Sequence, residues 1–568
     1  MVTAFERLKL DEPCAPSPAE VLRGVELSPR ALQDFVPMCR SLEWELSNLY
    51  WNTEGTRGFV ENGIPYTINN TGRLSEAAAA LLFRNCEETR EAGPILLLEF
   101  GAGTALFARY FLDEFERLCT AAGAPFYDRL LYYATDRSPR TVQQWSECGL
   151  FAGHQRHVVQ ALCDALCPAV VKTPDGEEIR LENVRAVFAN YVLDSLPATF
   201  ARRGPNGVEE LCVRTHLIAD EARVRQYTNR SLEELRRLAG SNDAAAREAL
   251  IACAPVFDYE QAYLPAESVS PEAEEALAFG HDLPRVLINF GAFQCLHSCL
   301  EILNPGGFIL INDYGAVQKE EAAQQGALQR FGPTTALGLN FPLLEHHFGT
   351  RSVIVDRPDQ DAELPIHPRL LARRALPETR AEFQKQFGME AQRAAEGKQD
   401  EARQHLEAGR ADAARACFTE ALERRPRDWR LLGEVAEFVI RRAADYRAGL
   451  ELARSAVRVN PWYSAWLWNV LGDALFALDR FEEAHEAYLQ AQHIDPKDVR
   501  TNLNLAYSYA QACDLPMALR AIAEGLANDG SGVYRERLLE KQQQIMAQTA
   551  ARWNGEQEWQ MRRAHRLR

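Results

Sequence analysis

No apolar run in this 568-residue chain reaches the length needed to cross a bilayer, so a membrane-spanning protein is not expected. Positive charge is also short. Against 80 Asp and Glu stand 63 Lys and Arg, and the net charge of −17 opposes non-specific binding to phosphate backbones, which makes nucleic acid a poor partner. The basic tail Met561–Arg568 reads as a solvated end. The N-terminus, MVTAFERLKLDEP, lacks a basic flank leading into an apolar segment and is too acidic for a transit peptide. No CxxC knuckle occurs. Cys163 with Cys167 and Cys295 with Cys299 sit four apart, with His297 inside the second pair, a spacing that suits one helix face rather than a metal site. His154/His157 and His346/His347 lack carboxylate or Cys companions at ligand spacing, so no metal is expected. Thirteen scattered cysteines without a secretion signal suit reduced thiols and a cytoplasmic location.

The chain is longer than one core normally serves, so several domains are expected. Its most informative stretch is Ile95–Phe111, ILLLEFGAGTALFARYF. An apolar strand delivers Glu99 into Gly101-Ala-Gly103, and an amphipathic helix follows at once. Two glycines at that spacing allow a tight turn and a close approach to a ligand, while the helix start offers unpaired N–H groups. Dinucleotide folds want a third glycine where this chain has Leu106, and usually an apolar residue where it has Glu99. The pattern acidic-x-Gly-x-Gly fits S-adenosyl-L-methionine better, because a carboxylate helps hold the ammonium of its methionine end.

Around this motif the chain divides by pattern. Residues 1–90 read as a mostly helical N-terminal lid with a Gly/Pro/Asn-punctuated loop from Gly55 to Gly72. Residues 91–365 alternate short apolar runs with helical stretches, which is the pattern of a parallel, doubly wound α/β sheet of Rossmann type. Ile95–Phe100, Leu130–Thr135, His157–Ala161, Ala186–Asn190 and Phe308–Asn312 read as strands, and Ser352–Val355 as an edge strand. The rhythm lapses over about 201–285, an insertion. Residues 366–399 read as a helical linker. From 400 to 530 the chain repeats: Trp468, Leu471, Gly472, Leu475, Ala484, Tyr488, Ala491 and Pro496 match the tetratricopeptide pattern, with poorer units before and after. Four units suffice for a small all-α solenoid, with 531–568 as a polar capping helix and basic tail.

In such a sheet ligands bind at the carboxyl ends of the strands. Asp136, at the tip of the second strand, is placed to accept from both ribose hydroxyls, and Asp164, after the third, from the adenine amino group. A methyl group on a sulfonium is already activated, so in-line placement in a dry pocket matters more than acid–base machinery. The loop Asn190-Tyr191-Val192-Leu193-Asp194-Ser195-Leu196-Pro197 supplies Asn190 and Asp194 as candidates for orienting the substrate, with Asp194 suited to a cation such as guanidinium.

EFGAGTALF, ANYVLDSLP and a strand ending NDYG, in that order, resemble the MidA-like S-adenosyl-L-methionine-dependent methyltransferases, a family that includes the mitochondrial enzyme assisting complex I assembly. The resemblance covers about Leu97 to Gly315, with TINNTGRLSEAAAALLF similar to the family's N-terminal segment. It implies cofactor contacts at Glu99, Gly101 and Gly103, substrate-side roles for Asn190, Asp194, Pro197, Asp313, Tyr314 and Gly315, and a protein substrate with arginine as acceptor. Two positions depart from it. Tyr191 stands where the family writes Glu, which removes one guanidinium partner, and Ala105 replaces a glycine where a helical conformation tolerates it. The leading expectation is a methyltransferase acting on a protein recruited by the repeat array. The alternatives are a non-catalytic scaffold whose methyltransferase domain has decayed and a nicotinamide-dependent oxidoreductase.

Overall fold

The computed structural model describes residues 30–56, 72–326, 328–331, 334–364, 366–547 and 549–550. The loop within Gly55–Gly72, the first part of the expected lid, the start of the TINNTG segment and the basic tail therefore lie largely or wholly outside the described residues. The chain forms two compact units.

One unit uses the described residues of Met1–Tyr50, Ala198–Val286 and Ala327–Ala336. Its sheet is built on β9 (Gly207–Leu217), which pairs antiparallel with β1 (Ala31–Pro37), β8 (Thr199–Gly204) and β10 (Phe257–Pro265). Helices Glu221–Tyr227, Leu232–Ala239 and Ala244–Ile251 close a core of Leu32, Leu217, Leu235, Leu250 and Phe257. The expected insertion is thus a small domain, and it recruits β1. Residues 31–37, expected in a helical lid, are extended because β9 offers them an unpaired edge.

The other unit carries a nine-stranded sheet in the order β17-β18-β12-β7-β2-β3-β4-β5-β6. These are β2 (Ile95–Phe100), β3 (Leu130–Asp136), β4 (Val158–Leu162), β5 (Val170–Lys172), β6 (Glu178–Arg180), β7 (Val184–Asn190), β12 (Leu303–Asp313), β17 (Ile354–Asp356) and β18 (His367–Ala372). In chain order between these strands, β11 (Val286–Ile288) instead lies beside β8 in the five-stranded sheet, and β13 (Gly315–Ala316) pairs with β16 (Leu339–Asn340). A short ribbon of β14 (Gln329–Phe331) and β15 (Thr334–Ala336) belongs to the first unit. Strands β12, β7, β2, β3 and β4 run parallel, and β18 lies antiparallel between β12 and β17. Crossing from β2 to β3 requires a covering helix, and LFARYFLDEF supplies one whose apolar stripe packs Phe107, Phe111 and Phe115 against Tyr132, Phe188 and Phe308.

The helices that matter for the site are α1 (Leu42–Glu54), α2 (Arg73–Thr89), α3 (Leu106–Ala122), α4 (Pro139–Glu147), α5 (Phe290–Ile302) and α6 (Pro377–Phe387). The span 366–399 is no linker: it holds β18, whose run HPRLLA is fully buried in the sheet, and α6, tied to α2 where Glu88 accepts from Thr379 at 2.9 Å. It also begins the repeats, which form four helix pairs: α7 (Met389–Glu407) with α8 (Ala411–Arg424), α9 (Trp429–Phe438) with α10 (Tyr446–Val459), α11 (Ala465–Ala477) with α12 (Phe481–Ile494), and α13 (Val499–Gln511) with α14 (Leu515–Asn528). A π-turn at Val439–Ala443 widens the second pair, which is why its sequence matches the repeat poorly. Gly472 is small because Tyr488 lies where its Cβ would be. The terminal helix is not simply polar, since Leu538 and Ile545 are fully buried against the last repeat.

Sheet and solenoid share one core running from Leu74 to Ile545. Arg427, between the first two repeats, pairs with Asp113 and Glu114 on α3 at 3.2 and 3.5 Å. The Tyr110 hydroxyl donates to the Val459 carbonyl at 3.2 Å, the Arg109 guanidinium lies over the Trp462 ring, and Tyr463 is buried beside Cys148. Within this junction burial pushes Glu76 up to about 7. His154, in the turn before β4, does gain a carboxylate companion, Asp113 on α3 at 2.9 Å, distant from it in sequence. The sheet and solenoid of this unit are expected to melt together in one calorimetric transition. Tyr463→Ala, which empties an aromatic site at this junction, should cost about 3 kcal/mol and split the transition in two; one transition at unchanged temperature would contradict the shared core.

Candidate active site

The carboxyl edge of the sheet gathers the sequence candidates. Glu99 is the penultimate residue of β2 and is 2% exposed. Beyond it the backbone enters the left-handed region three times, at Gly101 (φ 53°), Gly103 (φ 55°) and Ala105 (φ 53°). Ala105 is therefore not in the right-handed helical conformation expected for it. It is the N-cap of α3, with no side-chain cap, and it takes the strained geometry that glycine takes at no steric cost. A Cβ on Gly101 would collide with Val192 Cγ2, so the glycine also permits close approach of the β7 loop.

Neighbouring strands pin this loop. Ala102 N–H donates to the Thr135 carbonyl at 2.9 Å, and the Thr135 hydroxyl donates to the Glu99 carbonyl at 2.6 Å. Asp136 accepts from Gly103 N–H at 3.0 Å through one oxygen and from Ser138 N–H at 2.9 Å through the other. Trp145 Nε1 on α4 donates to the Gly103 carbonyl at 2.8 Å. Burial raises the Asp136 carboxyl, opposed by those N–H groups. The end of α1 reaches the same place, with Ser138 Oγ donating to the Asn52 carbonyl at 3.2 Å and Thr56 bonded to Gln144. Asp164 stands exposed after β4, where it accepts from Leu166 N–H at 3.0 Å. Cys163 and Cys167 lie in that loop, not on a helix face.

Loop 190–197 forms the other wall. Tyr191 is also left-handed (φ 54°), a conformation fixed by its N–H donating to the Asn312 carbonyl at 2.9 Å and by stacking on Tyr314 at 5.1 Å. Asp313 is completely buried and caps the turn Leu193–Ser195, accepting from Leu193 and Asp194 N–H at 2.9 and 3.3 Å. Burial and the nearby Asp194 charge drive Asp313 well above the usual carboxylate range, and burial brings Asp194 up to about 7. Pro197 accepts from Gly291 N–H at 2.8 Å and seats the start of α5, a structural contact. Glu99, Gly101, Gly103, Asp136, Asn190, Tyr191, Asp194, Asp313 and Tyr314 thus form one continuous edge, while Pro197 and Asp164 lie at its margins.

Two residues escaped the sequence reading. Tyr132 looked like core aromatic, yet its hydroxyl donates to Glu99 at 2.9 Å. Asn312 donates through Nδ2 to Asn190 Oδ1 at 2.8 Å; a lone amide in the apolar strand FILIND was the available signal.

Residues 78–338 match a sequence family described as "Putative S-adenosyl-L-methionine-dependent methyltransferase". That match covers the nine-stranded sheet's central strands and the candidate site, a methyltransferase domain. Residues 465–498 match the tetratricopeptide repeat. No curated protein matches the chain. Among solved structures, it is similar to a Burkholderia thailandensis protein bound to S-adenosyl-homocysteine, at 17% identity over 57% of this chain and 73% of that one, with a TM-score of 0.37. A tetratricopeptide protein of Thermus thermophilus is 23% identical over 27% of this chain and 83% of that one, with a TM-score of 0.25.

The enzyme is an S-adenosyl-L-methionine-dependent methyltransferase, and the residues present fit that cofactor. The left-handed turn at Gly101 and Gly103 presents backbone rather than side chains beside the buried Glu99, and among the described residues Asn312 Oδ1 is a buried polar atom without a hydrogen-bond partner. Gly101→Ala should weaken S-adenosyl-homocysteine binding at least about tenfold in calorimetry with a native far-UV spectrum; unchanged affinity would remove the turn from the binding site. Ala105→Gly should instead raise stability by about 1 kcal/mol by relieving the left-handed alanine, read as a higher Tm with binding retained.

Proposed function

We propose that this methyltransferase modifies a nitrogen on a protein side chain, arginine being the first candidate, and that the tetratricopeptide array recruits that protein or a partner. Glu99, Gly101, Gly103, Asp136 and Asp164 would hold S-adenosyl-L-methionine, which supplies a methyl group already activated on sulfur. The observation that carries the reading is the buried Asp194/Asp313 carboxyl pair beside the stacked Tyr191 and Tyr314 rings, at the edge of the glycine loop.

A nitrogen that gains a methyl must lose a proton. Asp194, partly exposed and raised to about 7, is suited to take it, while Asp313 behind it holds the turn. The two tyrosine rings offer an aromatic wall to a cation. Asn190, held by Asn312, orients the acceptor or the cofactor. On the array, Arg500 bridges Glu437 and Asp473 from successive repeats at 2.9 and 2.7 Å, so the face formed by the first helices is braced for recognition.

Incubating the full chain with radiolabelled cofactor and lysate should label a protein at a side-chain nitrogen. The Asp194 carboxyl is raised in the folded protein, so its basic form accumulates only as pH rises: kcat should climb about tenfold per unit below pH about 7 and level above it. Asp194→Asn should lower kcat about a hundredfold and flatten that limb. The replacement of the family's Glu by Tyr191 favours a second reading, a scaffold that binds S-adenosyl-homocysteine and labels nothing.

A further inference from the structure

A line of polar side chains crosses four neighbouring strands, β3, β2, β7 and β12, just behind the glycine loop. From β3 the Tyr132 hydroxyl donates to Glu99 on β2, and from β12 the Asn312 amide donates to Asn190 on β7. Asn190 in turn flanks Glu99. All four are 4% exposed or less. Burying four polar groups in the middle of a sheet costs more than an apolar layer would, and this line is not even saturated: among the described residues Asn312 Oδ1 has no hydrogen-bond partner, and Asn190 Nδ2, which faces Glu99, makes no well-formed bond. Packing alone does not account for it.

We propose that Tyr132 and Asn312 are positioning residues for the methionine end of the cofactor. Tyr132 fixes the Glu99 carboxylate, and Asn312, by occupying Asn190 Oδ1, leaves Asn190 Nδ2 facing Glu99 at the edge where the ligand would sit. A carboxylate acceptor and an amide donor then stand side by side, matching the ammonium and carboxylate of a zwitterionic amino acid. The inference rests on the cofactor reading of this edge.

The titratable groups facing Glu99 are Tyr132 and Asp136 on β3; β7 contributes only the uncharged Asn190. Among the described residues no cation compensates it. Burial, with Asp136 adding to it, lifts Glu99 to about 8, while the Tyr132 and Asn190 contacts pull it down. Glu99 therefore holds a proton at neutral pH, and arrival of the ligand's ammonium expels that proton to solvent. Losing either positioning contact leaves the proton harder to remove.

Calorimetry of the full chain with S-adenosyl-homocysteine, in buffers of different ionisation enthalpy between pH about 6 and 8, tests this. Wild-type affinity should rise about tenfold per pH unit with close to one proton released per ligand, and Glu99→Gln should bind weakly with no pH dependence. Tyr132→Phe should weaken binding several-fold at neutral pH and move the pH at which affinity levels upward; Asn312→Leu should do the same and serves if the first variant does not fold. Equal weakening at every pH, or wild-type behaviour in the variants, would overturn the positioning role and leave the cofactor reading intact. Failure of the wild type to bind would overturn both.

Discussion

The Asp136 carboxylate bonds the amides of Gly103 and Ser138, and so ties the turn after β2 to the helix after β3. The rest of the site depends on that contact. A backbone that turns left-handed at three positions within five residues must be held against its own strain, and Ala105 adds to that strain rather than relieving it. The restraint comes from outside, from Asp136, Thr135 and Trp145. With the turn fixed, Val192 can rest against Gly101 and bring the Asn190–Pro197 loop to the same edge.

The second wall is built on an electrostatic compromise. Asp313 is buried because its oxygens cap the turn that carries Asp194, and the Asp194 charge adds to that burial in raising it, while Asp194 is raised by burial. A site that keeps a carboxyl near neutrality suits an acceptor that arrives as a cation and leaves without one of its protons. Glu99, across the edge, is raised by burial in the same way, so the pocket as a whole is poised to receive positive charge.

The solenoid is not a recruiting arm on a tether. Arg427, Tyr110 and Tyr463 join the turns between repeats to α3 and α4, the helices that follow the two cofactor-side strands. If the repeats recruit the substrate as proposed, a protein held on them would be held against the methyltransferase domain. Much of the architecture could be read from the sequence because it is local: strand, glycine turn and helix lie within Ile95–Phe111, and the repeat spacing recurs through Pro426, Pro461 and Pro496. What could not be read is what pairs at a distance. β18 is a short apolar run among helical residues and becomes a strand only because β12 and β17 flank it. Tyr132 and Asn312 gain meaning only across strands, and the left-handed Ala105 only from a loop pinned by its neighbours.

Hydrogen exchange of the full chain, followed by mass spectrometry with and without S-adenosyl-homocysteine, probes the central claim most directly. The account predicts slowed exchange in the segment containing Gly101 to Leu106 and in that containing Asp136 and Ser138, with the repeats unchanged. Unaltered exchange in both loop segments at saturating ligand would contradict it.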